Sequence, residues 1–496
     1  MKPSLLIFGL LLLVPHPARA QQFRLRWDTR IQSVAFRGVQ VDSVPVGDVV
    51  TDADGATFTA DGYAVDCDPG SATCTFFRPG PVLRGAPVVT TASATVWGLG
   101  VTGLRLRTTA RFGFDARDED AWPGTDPGAE LVEGFAEWAR PSLTLAAGRL
   151  SDASRFGFVS FDGGRADVRP IGGRVRGRVW GGWGLARASA FPVTDPVNDP
   201  FDEFLPERRQ QLLGADVEGG ARLGQLRVLY LREVDPRARD FVSERAGVEA
   251  VARRFGLRVA GGADYDLAAG WWGSAEGSVA YEGRADLGTL ELGARRYRPH
   301  FALWTIWGAF SPVPFRAAFA TASARPHADL LVRFRGEVYE YDETGAVAPL
   351  VVTEDSGWRW RADATYPARG PVRAGLGWQR EFGPGASSTG WQGSMNVDVR
   401  DGLQASAFGG QWLRPLELRY DDARIWTYGA GLDWDASEGL RVSAQARRFE
   451  EERERPDAAS FDWDQWRLSL AVTIVTGSGS PRLPEPITRI PVRSVP

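Results

Sequence analysis

The sequence predicts an all-β fold: a single large antiparallel transmembrane β-barrel of about 22 strands, or 18 to 20 where short segments merge. Three observations predict it. Apolar and polar residues alternate with period two through nearly the whole chain, which is the signature of strands with two different faces. Connections alternate between short and long. The 496 residues include 58 glycines, 19 tryptophans and 26 phenylalanines without a composition break that would divide the chain into ordinary domains.

The chain opens with Lys2, an apolar run from Leu5 to Val14, and Ala18-Arg19-Ala20. These are the charged, apolar and small-residue parts of a secretory signal peptide, expected over residues 1–20 with cleavage before Gln21. The run falls well short of the ~20 apolar residues that a spanning helix needs, and no later stretch approaches that length. The barrel is expected over residues 21–475, its first strand starting at Phe23. Residues 38–86 are too long and too punctuated for a simple loop. They are expected outside the barrel or folded into its mouth, between the first two strands. The last residues, 476–496, are Pro-rich and read as a flexible periplasmic tail.

One motif invites a different fold. In "WGLGVTGLRLRTTARFGFDAR" (97–117), Gly98, Gly100 and Gly103 form a G-x-G-x-x-G. Holding a nucleotide's phosphates would require a helix after the glycines. After Gly103 comes a strand instead: Leu104, Leu106, Thr108, Ala110, Phe112 and Phe114 take one face, and Arg105, Arg107, Thr109, Arg111 and Gly113 the other. The glycines are therefore expected to turn the chain. The same alternation recurs at 358–366, 391–400 and 466–474, where Trp358, Trp391 and Trp466 begin the apolar face.

Short connections read "RPS" (140–142), "FG" (255–256), "DLG" (286–288), "RDG" (400–402) and "SEG" (437–439). Between them come longer ones at 118–128, 191–207, 301–314 and 343–355. Short periplasmic turns and long extracellular loops are the pattern of a membrane barrel. A soluble sandwich also alternates, but aromatics do not rim its strand ends. Closure removes sheet edges, and in lipid it is obligatory, because each unpaired backbone group there costs several kcal/mol. An even strand number puts both chain ends on the periplasmic side.

Charge and cysteine usage narrow the function. Without Lys2 and Arg19, 56 basic residues face 62 acidic ones, so charge gives no reason to expect nucleic acid as a partner. Cys67 and Cys74, the only cysteines, are expected to form one local disulfide in an exported chain. No metal or cofactor is expected. The acidic stretch 52–62 offers Asp52, Asp54 and Asp61 as calcium ligands, but it lacks the glutamate that ends an EF-hand loop. Beyond the signal, His300 has no adjacent Ser or acid in sequence, and His327, in "RPHAD", falls at an expected periplasmic turn, the wrong end for external substrates, so no enzyme is expected. The stretch 300–310, "HFALWTIWGAF", suits either a constriction loop or a tip dipping into the outer leaflet.

Lumen-facing charge carries the remaining signal. Arg24, Arg26 and Arg30 alternate with apolar residues on the first strand, as do Arg105, Arg107 and Arg111 on the third and Arg174, Arg176 and Arg178 on the seventh. An arginine facing lipid at mid-bilayer costs about 2–4 kcal/mol, so such ladders must face inward. Two roles are open to them. The arginines attract anions into a water-filled pore, or they pair across strands with acids such as Glu133, Glu137, Asp398 and Asp433 and stiffen the wall.

With these features the chain resembles Gram-negative outer-membrane β-barrel proteins, porin-like in layout. "LAAGRLSDASRFGFVSFDGGRADVR" (145–169) is loosely similar to the strand–loop–strand of alginate-export and related porin-type barrels. Two departures stand out. Porins usually end on a strand with a terminal aromatic, whereas the last strand here is expected to stop near Val475. TonB-dependent transporters carry a large N-terminal plug, whereas here a strand begins at Phe23. The resemblance implies a protein of the cell outer membrane whose partners are outer-membrane lipids, lipopolysaccharide and the outer-membrane insertion machinery. The expected function is passive diffusion of small hydrophilic solutes, anions among them, through an Arg-lined lumen. The alternative is a non-conducting surface barrel with a filled lumen, acting in adhesion, binding or envelope structure. Substrate and oligomeric state are not legible.

Overall fold

The computed structural model describes residues 22–51, 55–117, 128–170, 174–185, 210–234, 242–282, 288–298, 314–342, 356–367, 370–383, 386–414, 422–455 and 462–478. The wall strands begin with β1 (Gln22–Pro45), β2 (Pro87–Trp97), β3 (Leu104–Asp115), β4 (Ala129–Ala139), β5 (Leu143–Ser154) and β6 (Gly157–Val168). They continue with β7 (Val175–Gly184), β8 (Gln211–Ala221), β9 (Gly224–Val234), β10 (Val242–Arg254), β11 (Leu257–Asp266) and β12 (Trp271–Glu282). Next come β13 (Thr289–Tyr297), β14 (Phe315–His327), β15 (Leu330–Tyr341), β16 (Ser356–Tyr366) and β17 (Val372–Gly383). The last are β18 (Ala386–Arg400), β19 (Leu403–Arg414), β20 (Asp422–Ser437), β21 (Leu440–Arg455) and β22 (Trp463–Gly477).

Each strand pairs antiparallel with its sequence neighbours, and β1 closes the ring against β22 from Arg24↔Gly477 to Ser33↔Leu468. The result is a closed 22-strand antiparallel barrel. Closure satisfies every wall strand on both edges, which hydrocarbon demands. A cylinder of this strand number is roughly 40 Å across.

Turn chemistry places the chain ends. Gln22 and Gly477 lie at the rim that carries the short connections. There Phe255 (φ 53°) and Gly256 (φ 77°) form a two-residue turn with both central residues left-handed, matching the twist of a hairpin. Gly98, Gly100 and Gly103, at φ 76°, 82° and 84°, occupy another connection at that rim, and β3 begins directly after them. A Cβ on Gly103 would stand 2.1 Å from the Ala139 carbonyl oxygen, so the third glycine also lets β4 approach. The opposite rim is not uniformly long-looped. Arg155-Phe156 alone joins β5 to β6, which run on past their pairing with β4 and β7, and four residues join β11 to β12.

The outer face of the wall is apolar. Leu106, Val179, Leu226, Val259, Leu376 and Leu468 all project outward and are exposed. Trp183, Trp272 and Trp466 stand outward near the loop rim, and Tyr281, Tyr366 and Trp434 near the turn rim. Two aromatic bands at the levels of the headgroups are what a spanning barrel requires.

β1 is about twice the length of β2. Past Ser33 it leaves the wall and pairs from Val34↔Gly85 to Pro45↔Thr73 with the strand Thr73–Gly85. This ribbon extends on the order of 40 Å from the loop rim, at about 3.3 Å per residue. Its end holds a small core of Tyr63, Thr59 and Cys74, with Tyr63 and Phe76 rings 5.4 Å apart and the Cys67–Cys74 disulfide. Val41, Phe77 and Val82 along it are exposed.

Candidate functional site

The lumen wall is built by the inward half of each two-residue repeat. Because Leu106, Val179, Leu226 and Val259 face outward, Arg105, Arg107, Arg178, Arg227 and Arg258 face inward. Most of these arginines are ion-paired. Arg105 Nε donates to Glu137 at 2.6 Å, and Arg107 lies 3.4 Å from Glu133. Arg165 lies 3.7 Å from Glu137 and 3.2 Å from Asp167. Asp167 also takes Arg176 at 2.7 Å and Arg178 at 3.1 Å. Arg178 reaches Asp152 at 2.6 Å and Asp216 at 3.5 Å, and Arg227 continues to Asp216 and Glu249. A chain of alternating charge thus runs along the wall as far as β10. Removing one member would leave a half-buried charge unpaired, so the network stiffens this part of the wall.

Elsewhere the pairs are more local. Arg26 binds its strand neighbour Asp28 at 2.6 Å, Asp398 accepts from Arg373 at 3.3 Å and from Gln404, and Asp433 accepts from Ser443 at 2.6 Å. Glu337, nearly enclosed, collects Arg295 at 2.6 Å, Arg359 at 2.7 Å and Arg335 at 3.6 Å close to the clustered rings of Phe315, Tyr339 and Tyr341. Arg24 and Arg111 occupy inward register positions opposite Thr95 and Thr91. Arg174 stands exposed at the turn rim, just before β7.

The feature that sequence reasoning missed is the tip of the β5–β6 hairpin. β4 pairs β5 only as far as Arg149, leaving the rest of the hairpin free of that neighbour. Leu150 and Phe161 are fully buried against Trp180, Leu212 and Leu231, which are inward residues of β7, β8 and β9. Phe161 stacks on Trp180 with centroids 4.7 Å apart. The hairpin therefore lies across the inside of the wall. Its turn reaches farther still. Arg155 donates to Asp264 of β11 and Glu276 of β12, both at 3.0 Å, and to the Ser274 carbonyl at 3.2 Å. Phe156 sits under the Arg245 guanidinium, 5.0 Å from the ring centroid. Two glycines make room. A Cβ on Gly262 would stand 2.6 Å from Arg155 Nη1, and one on Gly247 would stand 3.1 Å from the Phe156 ring.

These contacts turn the hairpin into an internal shelf over the β7–β12 sector. Each large buried side chain contributes about 1.5–3 kcal/mol, enough to hold the tip against the wall. The sector from β13 round to β4 carries no such shelf among the described residues. His300, Asp52, Asp54, the 300–310 stretch, the signal segment 1–20 and residues 479–496 lie outside the described residues. Among the described residues no group of His, Cys, Asp and Glu could hold a metal ion.

No family model matches this sequence, and no curated protein matches it. Solved structures do. The siderophore receptor PirA from Pseudomonas aeruginosa superposes with a TM-score of 0.51 at 11% identity, covering 91% of this chain and 80% of that one. OccAB1 from Acinetobacter baumannii gives 0.40 at 10% identity, covering 92% and 97%. A BenF-like porin from Pseudomonas fluorescens Pf-5 gives 0.39 at 11% identity, covering 92% and 99%. The chain has the fold of an outer-membrane β-barrel.

Proposed function

We propose that this protein is an outer-membrane channel for passive diffusion of small hydrophilic solutes, narrowed on one side by the β5–β6 hairpin. One observation carries the reading: the hairpin covers the β7–β12 sector of the charged lumen inside a cylinder roughly 40 Å across and leaves the remaining described wall uncovered. A lumen lined by arginine and carboxylate is wetted, and a shelf across part of it sets a cut-off without closing it. The reading is transport and not catalysis. Outer-membrane lipids, lipopolysaccharide and the insertion machinery are the partners this reading implies.

A second reading is favoured by the ribbon. Its exposed Val41, Phe77 and Val82 offer a surface for adhesion or binding that a simple channel does not need. The two separate in a planar bilayer. The channel gives steady openings on the order of a nanosiemens, as expected for a wide aqueous lumen. A folded, inserted protein that passes no current sinks the channel and leaves the surface role.

A further inference from the structure

Three inward arginines stand apart from the ion-paired network. Arg447 on β21 and Arg467 on β22 are direct cross-strand partners and share the lumen face. Arg30, on β1 next round the ring, faces inward opposite Ala471 and interacts electrostatically with both. Aromatic rings hold the first two in place. Arg447 lies over Phe408 and Phe449, 4.9 and 5.7 Å from the centroids, and Arg467 lies 5.0 Å from that of Phe449. Gly429 opens the space for this: a Cβ there would stand 2.8 Å from Phe408 Cζ.

Among the described residues, no acid balances this charge. The Nε atoms of Arg447 and Arg467 are buried without a hydrogen-bond partner. The inward acids of β1 and β21 are engaged elsewhere, Asp28 by Arg26 at 2.6 Å and Thr473 at 2.7 Å and Glu451 by Arg453 at 2.7 Å; on β20, Asp435 takes Arg441 at 3.1 Å and Asp433 takes Ser443 at 2.6 Å. Three gathered guanidiniums repel one another, and a bound anion relieves that repulsion. Stacking on a ring occupies a guanidinium's face and leaves its in-plane N–H edge available, a fork that fits the paired oxygens of an oxyanion.

We propose that Arg30, Arg447 and Arg467 form a binding station for a small oxyanion, a carboxylate or a phosphate, on the lumen wall. The station lies in the sector that the hairpin leaves uncovered, and it gives the proposed channel an anionic class of solute. It rests on the lumen being water-filled.

The test is isothermal titration of the full chain, folded in detergent, with inorganic phosphate and separately with acetate. The expected result is saturable binding of at least one anion, weakened at least tenfold by Arg447→Gln together with Arg467→Gln. Arg78→Gln, in the ribbon, should leave it unchanged. Without anion, the double variant should melt at a higher temperature than the parent, because repulsion has been removed. If it fails to fold, Arg30→Gln is measured in the same way. No saturable binding of either anion, or an equal loss in Arg78→Gln, overturns the proposal. A chain that binds through these arginines but passes no current refutes the channel and keeps the station; one that conducts but does not bind refutes the station alone.

Discussion

Arg155 stands in a two-residue turn of a sort that normally points at solvent, yet its side chain is almost wholly enclosed and carries two ion pairs to β11 and β12, well round the ring. Replacing it with alanine removes both pairs and frees the hairpin tip. Single-channel conductance should then rise about twofold, since a constriction dominates the resistance of a pore. Gly262→Val should act the same way with the arginine intact, because the new side chain would occupy the space of Arg155 Nη1. Unchanged conductance in both variants would remove the hairpin from the permeation path. The sequence could not reveal this residue. "SRFGF" reads as an ordinary turn, and its partners Asp264 and Glu276 are more than a hundred residues away. The Arg30, Arg447 and Arg467 cluster was half legible: period two places each side chain on the inward face, but only the strand register sets Arg447 directly across from Arg467 and Arg30 on the next strand, opposite Ala471.

At the level of elements, the strands were legible because two solvents impose a period-two pattern on each of them. Leu106, Met395, Leu468 and Ile474 face outward as their alternation implies. Length beyond the wall was not legible, because alternation continues wherever a strand continues. β1 and the β5–β6 hairpin both overrun the wall, one outward as a ribbon and one inward as a shelf. The ribbon has its own small core, so its disulfide should act locally. Cys67→Ser with Cys74→Ser should cost about 2–3 kcal/mol in the ribbon tip on the chain-entropy account. Limited proteolysis should then cut within 46–73 faster, while the heat-dependent gel mobility of the barrel stays as it was. A lowered melting temperature of the whole barrel would show that ribbon and wall fold as one unit.

For the whole molecule, the central question is what field the closed ring presents to a solute. Arg105, Arg107, Arg176 and Arg178 are paired, so their charge is largely neutralised locally and the long-range bias comes from arginines without acids. Such a bias is screened over a Debye length, about 10 Å at 0.1 M salt and about 3 Å at 1 M. Inside a cylinder roughly 40 Å across, the field reaches a passing ion only near the wall, and only in dilute salt. Reversal potentials in a potassium chloride gradient should therefore show anion preference near 0.1 M that falls toward none near 1 M. Arg105→Ser with Arg107→Ser leaves Glu137 and Glu133 without these counter-ions and should move the preference toward cations at low salt. Arg447→Gln with Arg467→Gln should lower the anion preference without adding exposed acid, a smaller shift in the same direction. A preference indifferent to salt and to both pairs of substitutions would mean that the arginines serve only to brace the wall.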